Sequence, residues 1–195
     1  MNEKIEYNNK EKEFLLKTAR KAIEYYMKNG EIMEVEAKEI PSEKLLQDGA
    51  CFVSIHEKES NELRGCMGML EASRPLINDV IQNAVAAANE DPRFYPLRFD
   101  ELNKIKISIS ILTKPEKLEI MDYKELLDKL EPKRHGLIIK KGWNRATFLP
   151  VVWEQLPEKE EFLGNLCLKA GLNEDEWMKE GMEFFIYEAI EFEEK

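Results

Sequence analysis

The chain has 195 residues, 43% of them apolar, with 29 Lys and Arg against 39 Asp and Glu and a formal charge of −10. That length buries one good core or two modest ones without staples. The acidic balance argues against nucleic acid and against membrane surfaces as partners, since both are held through Lys and Arg, and no apolar run approaches the ~18 residues of a membrane span.

The opening Met1-Asn2-Glu3-Lys4-Ile5-Glu6 lacks the apolar stretch of a secretory signal, so a cytoplasmic location is expected. Residues 11 to 29 place Leu15, Ala19, Ala22 and Tyr26 at helical spacing, and Gly30 supplies the stop. Met33, Val35 and Ala37 alternate as an edge strand would, and Pro41-Ser42-Glu43 opens a short helical turn ended by Gly49. Cys51 to His56 and Leu63 to Leu70 read as two strands of a hairpin joined by the polar loop Glu57 to Asn61. Residues 75 to 89 carry Leu76, Ile77, Val80, Ile81, Ala84, Val85 and Ala88 on one broad helical face, with Ser73 as cap and Asp91-Pro92 as stop. Ala86 to Ala88 leave room for close packing on a sheet. Ile105, Ile107, Ile109 and Ile111 alternate with Lys and Ser, which is a half-buried strand.

From Pro115 the texture changes. A capping box at Asp122 and Glu125 starts a helix ended by Pro132, and strands follow around Leu137 to Lys141 and Ala146 to Leu149, turning at Gly142-Trp143-Asn144. Pro150 opens a helical turn with Trp153, and Phe162 to Ala170 form a helix stopped by Gly171. Asn173 and Glu176 form a second capping box, and Phe184 to Phe192 alternate as one strand returning to the main sheet. The expected fold is therefore α+β. An antiparallel sheet with packed helices spans about residues 1–113 and 181–195, with a smaller α+β insertion over about 114–180.

The segment Leu63-Arg64-Gly65-Cys66-Met67-Gly68 sets a thiol between two glycines in a strand-like run. Glycine inside a strand marks a bulge or a close approach of backbone or ligand. One reading is an approachable cysteine with a guanidinium two residues away; the other is a small buried cysteine in a bulged strand. Apolarity decides the faces: Cys51, Val53 and Ile55 face the core with Leu63, Met67 and Met69, while Phe52, Ser54 and His56 share the other face with Arg64 and Cys66. His56 then lies at the hairpin end, about four residues and roughly 13 Å from Cys66, too far to share a proton.

Three cysteines, Cys51, Cys66 and Cys167, without C-x-x-C spacing, argue against a disulfide framework and a zinc site. With only His56 and His135, a multi-histidine metal centre is not expected. Neither G-x-x-x-x-G-K-[ST] nor G-x-G-x-x-G is present, so no nucleotide cofactor is expected either. Six of the seven arginines (Arg64, Arg74, Arg93, Arg98, Arg134, Arg145) lie between positions 64 and 145, while residues 173 to 195 hold nine acids against two lysines. Arginine's planar fork suits a carboxylate or phosphate, so a local anion pocket is one outcome and pairing with neighbouring acids the other. Asp91 and Arg93 are spaced to pair with each other.

The chain resembles the AMMECR family, also called AmmeMemoRadiSam system protein A. The resemblance rests on Leu63-Arg64-Gly65-Cys66-Met67-Gly68, Asp91-Pro92-Arg93-Phe94, His135-Gly136-Leu137-Ile138-Ile139, Arg145-Ala146-Thr147-Phe148-Leu149-Pro150 and Lys169-Ala170-Gly171-Leu172, in order along nearly the whole chain. Met67 stands where the family usually shows isoleucine. The resemblance implies a two-part α+β structure with the hexapeptide near the junction of the parts. It also implies a three-component set with a Memo-type protein and a radical S-adenosylmethionine enzyme, and it names no reaction.

Two functions follow from the residues. In the first, the chain is a non-catalytic module that docks a protein or an anionic small molecule or peptide: Gly65 and Gly68 let a ligand backbone approach, Arg64 and Arg93 read an anionic group, and Phe94, Tyr95 and Trp143 supply apolar contact. Asp91 and Arg145, from the matched blocks, complete that ligand-binding set. In the second, Cys66 is a nucleophile and His135 its base.

Overall fold

The computed structural model describes residues 6–195, which divide into two compact units. One runs to Leu112 and resumes at Ile190–Lys195; the other is Thr113–Ala189.

The first unit opens with α1 (Asn9–Asn29), which starts two residues before the apolar spacing predicts. Asn8 and Glu11 form a reciprocal capping box that satisfies the first-turn N–H groups. Gly30, at φ 71°, closes the helix in the left-handed region. The expected edge strand at Met33–Ala37 is absent. Met33 and Val35 alternate because they pack on the core without a ladder partner, and short 3-10 turns follow at Ala37–Glu39 and Glu43–Leu46.

Strands β1 (Ala50–Glu57), β2 (Leu63–Gly68) and β3 (Ile105–Leu112) join the late strand Ala189–Glu193 in a four-stranded sheet. β1 lies between β2 and β3 and is antiparallel to both. Helix α2 (Leu76–Asn89) and α1 cover one face, burying Leu15, Ala19, Ile23, Val53, Ile55, Val80, Ala84, Ile107 and Ile109 in a continuous core. Ser73 is not the cap of α2. Pro75 holds that position without a side-chain bond, and the N–H of Leu76 donates instead to the Gln47 carbonyl at 2.9 Å. Asp79 and Asn83, both buried on α2, hold the start of β1: Asp79 accepts from the Cys51 N–H at 2.9 Å, and Asn83 donates to the Cys51 carbonyl at 3.1 Å.

The second unit contains β4 (Glu116–Lys117), α3 (Tyr123–Lys129), β5 (Gly136–Lys141), β6 (Asn144–Phe148), α4 (Lys159–Lys169) and β7 (Glu183–Tyr187); its strands lie in the order β4-β7-β5-β6. Its own core gathers Leu126, Leu137, Ile139, Phe162, Leu166 and Phe184, with Trp153 stacked on Phe162 at 3.6 Å. The second expected capping box is also absent. Glu176 donates its N–H to the Asn173 carbonyl, and its carboxylate goes to Lys141 at 2.7 Å.

The expected single strand from Phe184 to Phe192 is two strands in two sheets. β7 belongs to the second sheet and β8 (Ala189–Glu193) to the first, so the first unit resumes at 190 and not at 181. Glu188 is the break. Its N–H donates to Thr113 Oγ1 at 2.8 Å, its carbonyl accepts from the Thr113 N–H at 2.9 Å, and its carboxylate takes Arg134 at 2.8 Å. Alternating apolarity continues across the break because both halves are half-buried strands, so the pattern alone does not reveal a change of sheet.

Candidate functional site

Cys66 lies on β2 directly opposite Ser54 of β1. The register slips between Ile55 and His56, so Ile55 faces Gly65 while His56 faces Leu63, and Arg64 is the extra residue of a β-bulge. A bulge re-aims the side chain it carries. Arg64 accordingly leaves the thiol and grips Glu101 in a bidentate pair at 3.0 and 3.2 Å, while donating to the Tyr95 carbonyl at 2.9 Å. The cation that acts on Cys66 is Arg93, not Arg64.

The Cys66 N–H, on the outer edge of β2, donates to Asp91 Oδ2 at 2.8 Å. Asp91 is buried and also holds Arg93 through Nε at 3.0 Å, Nη2 at 2.7 Å and the backbone N–H at 3.1 Å. These bonds, that of the Arg93 side chain first, keep the Asp91 carboxyl far below the usual carboxylate range. The bond from the Cys66 N–H to Asp91 covers the strand edge and ties the loop after α2 to β2, and Arg93 holds the carboxylate in place for it.

The thiol itself is half-buried and accepts a hydrogen bond from Ser54 Oγ at 3.1 Å. Burial pushes its pKa up; Ser54 and Arg93 pull it down less, and Asp91 adds to the rise. It is therefore protonated at neutral pH, the opposite of an activated nucleophile. His56 is two positions along β1 from the residue opposite Cys66, half the separation expected: the hairpin pairs His56 with Leu63, one residue beyond Glu62, and the bulge takes up one residue more. It is not a solvated hairpin end: Nδ1 is buried with no hydrogen-bond partner among the described residues, and burial lowers its pKa.

The two glycines serve the fold. A side chain at Gly65 would strike the backbone carbonyl of Ala87 on α2, and one at Gly68 would strike the Phe52 ring and the Cys51 carbonyl. The space that seemed open to a ligand is filled by the protein's own helix and strand.

His135 belongs to the second unit, Cys66 to the first. The imidazole is buried, its Nδ1 accepts from the Glu131 N–H at 3.1 Å, and burial lowers its pKa. A neutral ring whose Nδ1 is an acceptor carries its proton on Nε2, so Nε2 has no lone pair for a substrate proton. His135 is a turn-forming residue, and its carbonyl accepts from Trp153 Nε1 at 2.7 Å. Arg145 is exposed on β6 opposite Lys140.

Sequence reasoning missed Ser54 and Glu101. Ser54 was on the correct face, and the slipped register alone hid its pairing with Cys66; no spacing signal links Glu101 to Arg64. Among the described residues no three His, Cys, Asp or Glu side chains converge as a metal-holding group, and no helix is long and apolar enough to cross a membrane.

Around this site the loop 91–101 is held at every turn. Phe94 N–H donates to the Asp91 carbonyl at 3.1 Å, Leu97 N–H to the Ala88 carbonyl at 2.7 Å, and Arg98 N–H to Glu101 at 2.7 Å. Leu97 is buried beneath it, yet Tyr95 is 89% and Phe99 58% exposed.

A model of the AMMECR1 family matches residues 16–192. A Methanopyrus kandleri protein is 39% identical over 191 residues, spanning 95% of this chain and 89% of the relative. A Methanocaldococcus jannaschii protein is 40% identical over 182 residues, spanning 93% and 89%. The crystal structure of an uncharacterized protein from Pyrococcus horikoshii is similar at a TM-score of 0.89 and 34% identity, covering 96% of this chain and 93% of that one. On the extent of these matches, the chain belongs to the AMMECR1 family.

Proposed function

We propose that this chain is a non-catalytic accessory module of the cytoplasm that docks a protein partner through the surface made by β2 and the loop 91–101, and that it works beside a Memo-type protein and a radical S-adenosylmethionine enzyme. One observation carries the reading: the loop's backbone is fixed by buried anchors while its aromatic tips stand in solvent. A surface ordered in advance pays little conformational entropy on association. Three free thiols suit a reducing compartment.

The chemistry around Cys66 supports the same reading. Its thiol is held in the neutral form, and Arg64 and Arg93 each already grip a carboxylate. Cys66 acts here as a small packing and hydrogen-bonding residue beside the docking surface.

Calorimetric titration of the purified chain with the Memo-type protein and with the radical enzyme of the same host tests this. Binding by at least one of them, retained within about threefold in Cys66→Ser, is the expected result. Failure of both to bind, or a turnover that Cys66→Ser abolishes, overturns it.

A further inference from the structure

We infer that Tyr95-Pro96 with Phe99 forms a preformed convex knob whose counterpart is an apolar concavity on a folded protein domain, an inference that rests on the binding reading above and specifies its partner.

Single exposed aromatics need no explanation. Here two aromatics and two prolines, Pro92, Tyr95, Pro96 and Phe99, are all exposed within eight consecutive residues, above a buried Leu97. Exposure of 89% at Tyr95 means that the ring projects from the surface and encloses nothing. A projecting ring cannot bury a small molecule, so the partner must supply the walls.

The backbone of the knob offers little to an added strand. The Tyr95 carbonyl is taken by Arg64, the Leu97 N–H by Ala88, and Pro92 and Pro96 have no N–H. A short extended peptide binding by main-chain ladder would find few partners there. Recognition then passes through side chains, and Tyr and Arg are the residue types that dominate such contacts.

Charge narrows the partner further. The guanidinium groups that flank the knob are each paired within two residues, Arg93 with Asp91 and Arg98 with Asp100, both at 2.7 Å. Each flanking guanidinium is thus neutralised by its own carboxylate, and neither is left free to draw an acidic peptide. Lys28 lies over the Phe99 ring at 5.6 Å. Two aromatic side chains contribute about 150–250 Å² each. That is short of the roughly 800 Å² per partner of a standard interface, so Pro92, Arg93 and Pro96 must also be covered, which again requires a folded partner.

The test uses the purified Memo-type protein and radical enzyme as full-length probes, with calorimetry at low and at high sodium chloride. Tyr95→Ala is expected to weaken binding by about thirtyfold or more and Tyr95→Phe to leave it within about threefold, with less than about threefold change across the salt range. Circular dichroism checks that both variants fold. Wild-type affinity in Tyr95→Ala overturns the knob while leaving the binding reading intact. A steep fall with salt overturns it in favour of a contact made through charged groups. Absence of binding by the wild-type chain removes the binding reading and the knob with it.

Discussion

Gly65 faces the core side of β2, where the end of α2 comes close enough that the Ala87 carbonyl fills the place of a side chain. A methyl group there has to move a helix backbone, which cannot yield as a flexible side chain would. Gly65→Ala is expected to cost about 2–3 kcal/mol, read as a lower midpoint in urea. Alanine at Gly142, where a Cβ meets nothing within 4 Å, carries only the strain of its φ of 58° and costs about 1 kcal/mol. Asp91 gives the second residue-scale expectation. Its folded pKa lies below its unfolded value, so its contribution to stability is complete above the unfolded pKa near ~4 and is lost as pH falls through the folded one. Asp91→Asn should lose about 2–3 kcal/mol at pH 7, and its acid-denaturation limb should be flatter than the parent's. Equal slopes in the two proteins would show that Asp91 does not couple proton binding to folding.

At the scale of elements, residues whose neighbours in sequence decide their structure were legible. The apolar face of α1, the isoleucine alternation of β3, the hairpin and the helix stop at Gly171 all express local periodicity or turn chemistry. What was not legible depends on partners distant in sequence. Met33 and Val35 alternate like a strand but meet a helix-covered core, and Pro75 caps α2 because Gln47 supplies the acceptor. The bulge at Arg64 is the costliest omission for the site: with the His56–Leu63 pairing it sets the register between Cys66 and His56, and it turns Arg64 from the thiol to Glu101. The break at Glu188 is of the same kind, since Thr113 makes it from 75 residues away. Thr113→Val keeps the shape and removes the Oγ1 acceptor for the Glu188 N–H. It should destabilise by about 1–2 kcal/mol, with hydrogen exchange at Glu188 accelerated before that of β5.

Over the whole molecule, folding stability rests on two separate cores, one under the β2-β1-β3-β8 sheet and one around Trp153 and Phe162. No residue of the first core appears in the second. All three tryptophans, Trp143, Trp153 and Trp177, lie in Thr113–Ala189, so their fluorescence reports that unit alone. The long helices α1 and α2 belong to the other unit and dominate far-ultraviolet circular dichroism. Phe162 is fully buried and stacked on Trp153, and its replacement removes a ring from the centre of the second core. Phe162→Ala should cost about 3–5 kcal/mol, which at a urea slope of about 2 kcal/mol per molar lowers the midpoint by roughly 2 M. That shift is expected in tryptophan fluorescence, with a clearly smaller one in circular dichroism. Two coincident curves, both displaced by the full amount, would mean that the units unfold as a single cooperative body despite their separate cores.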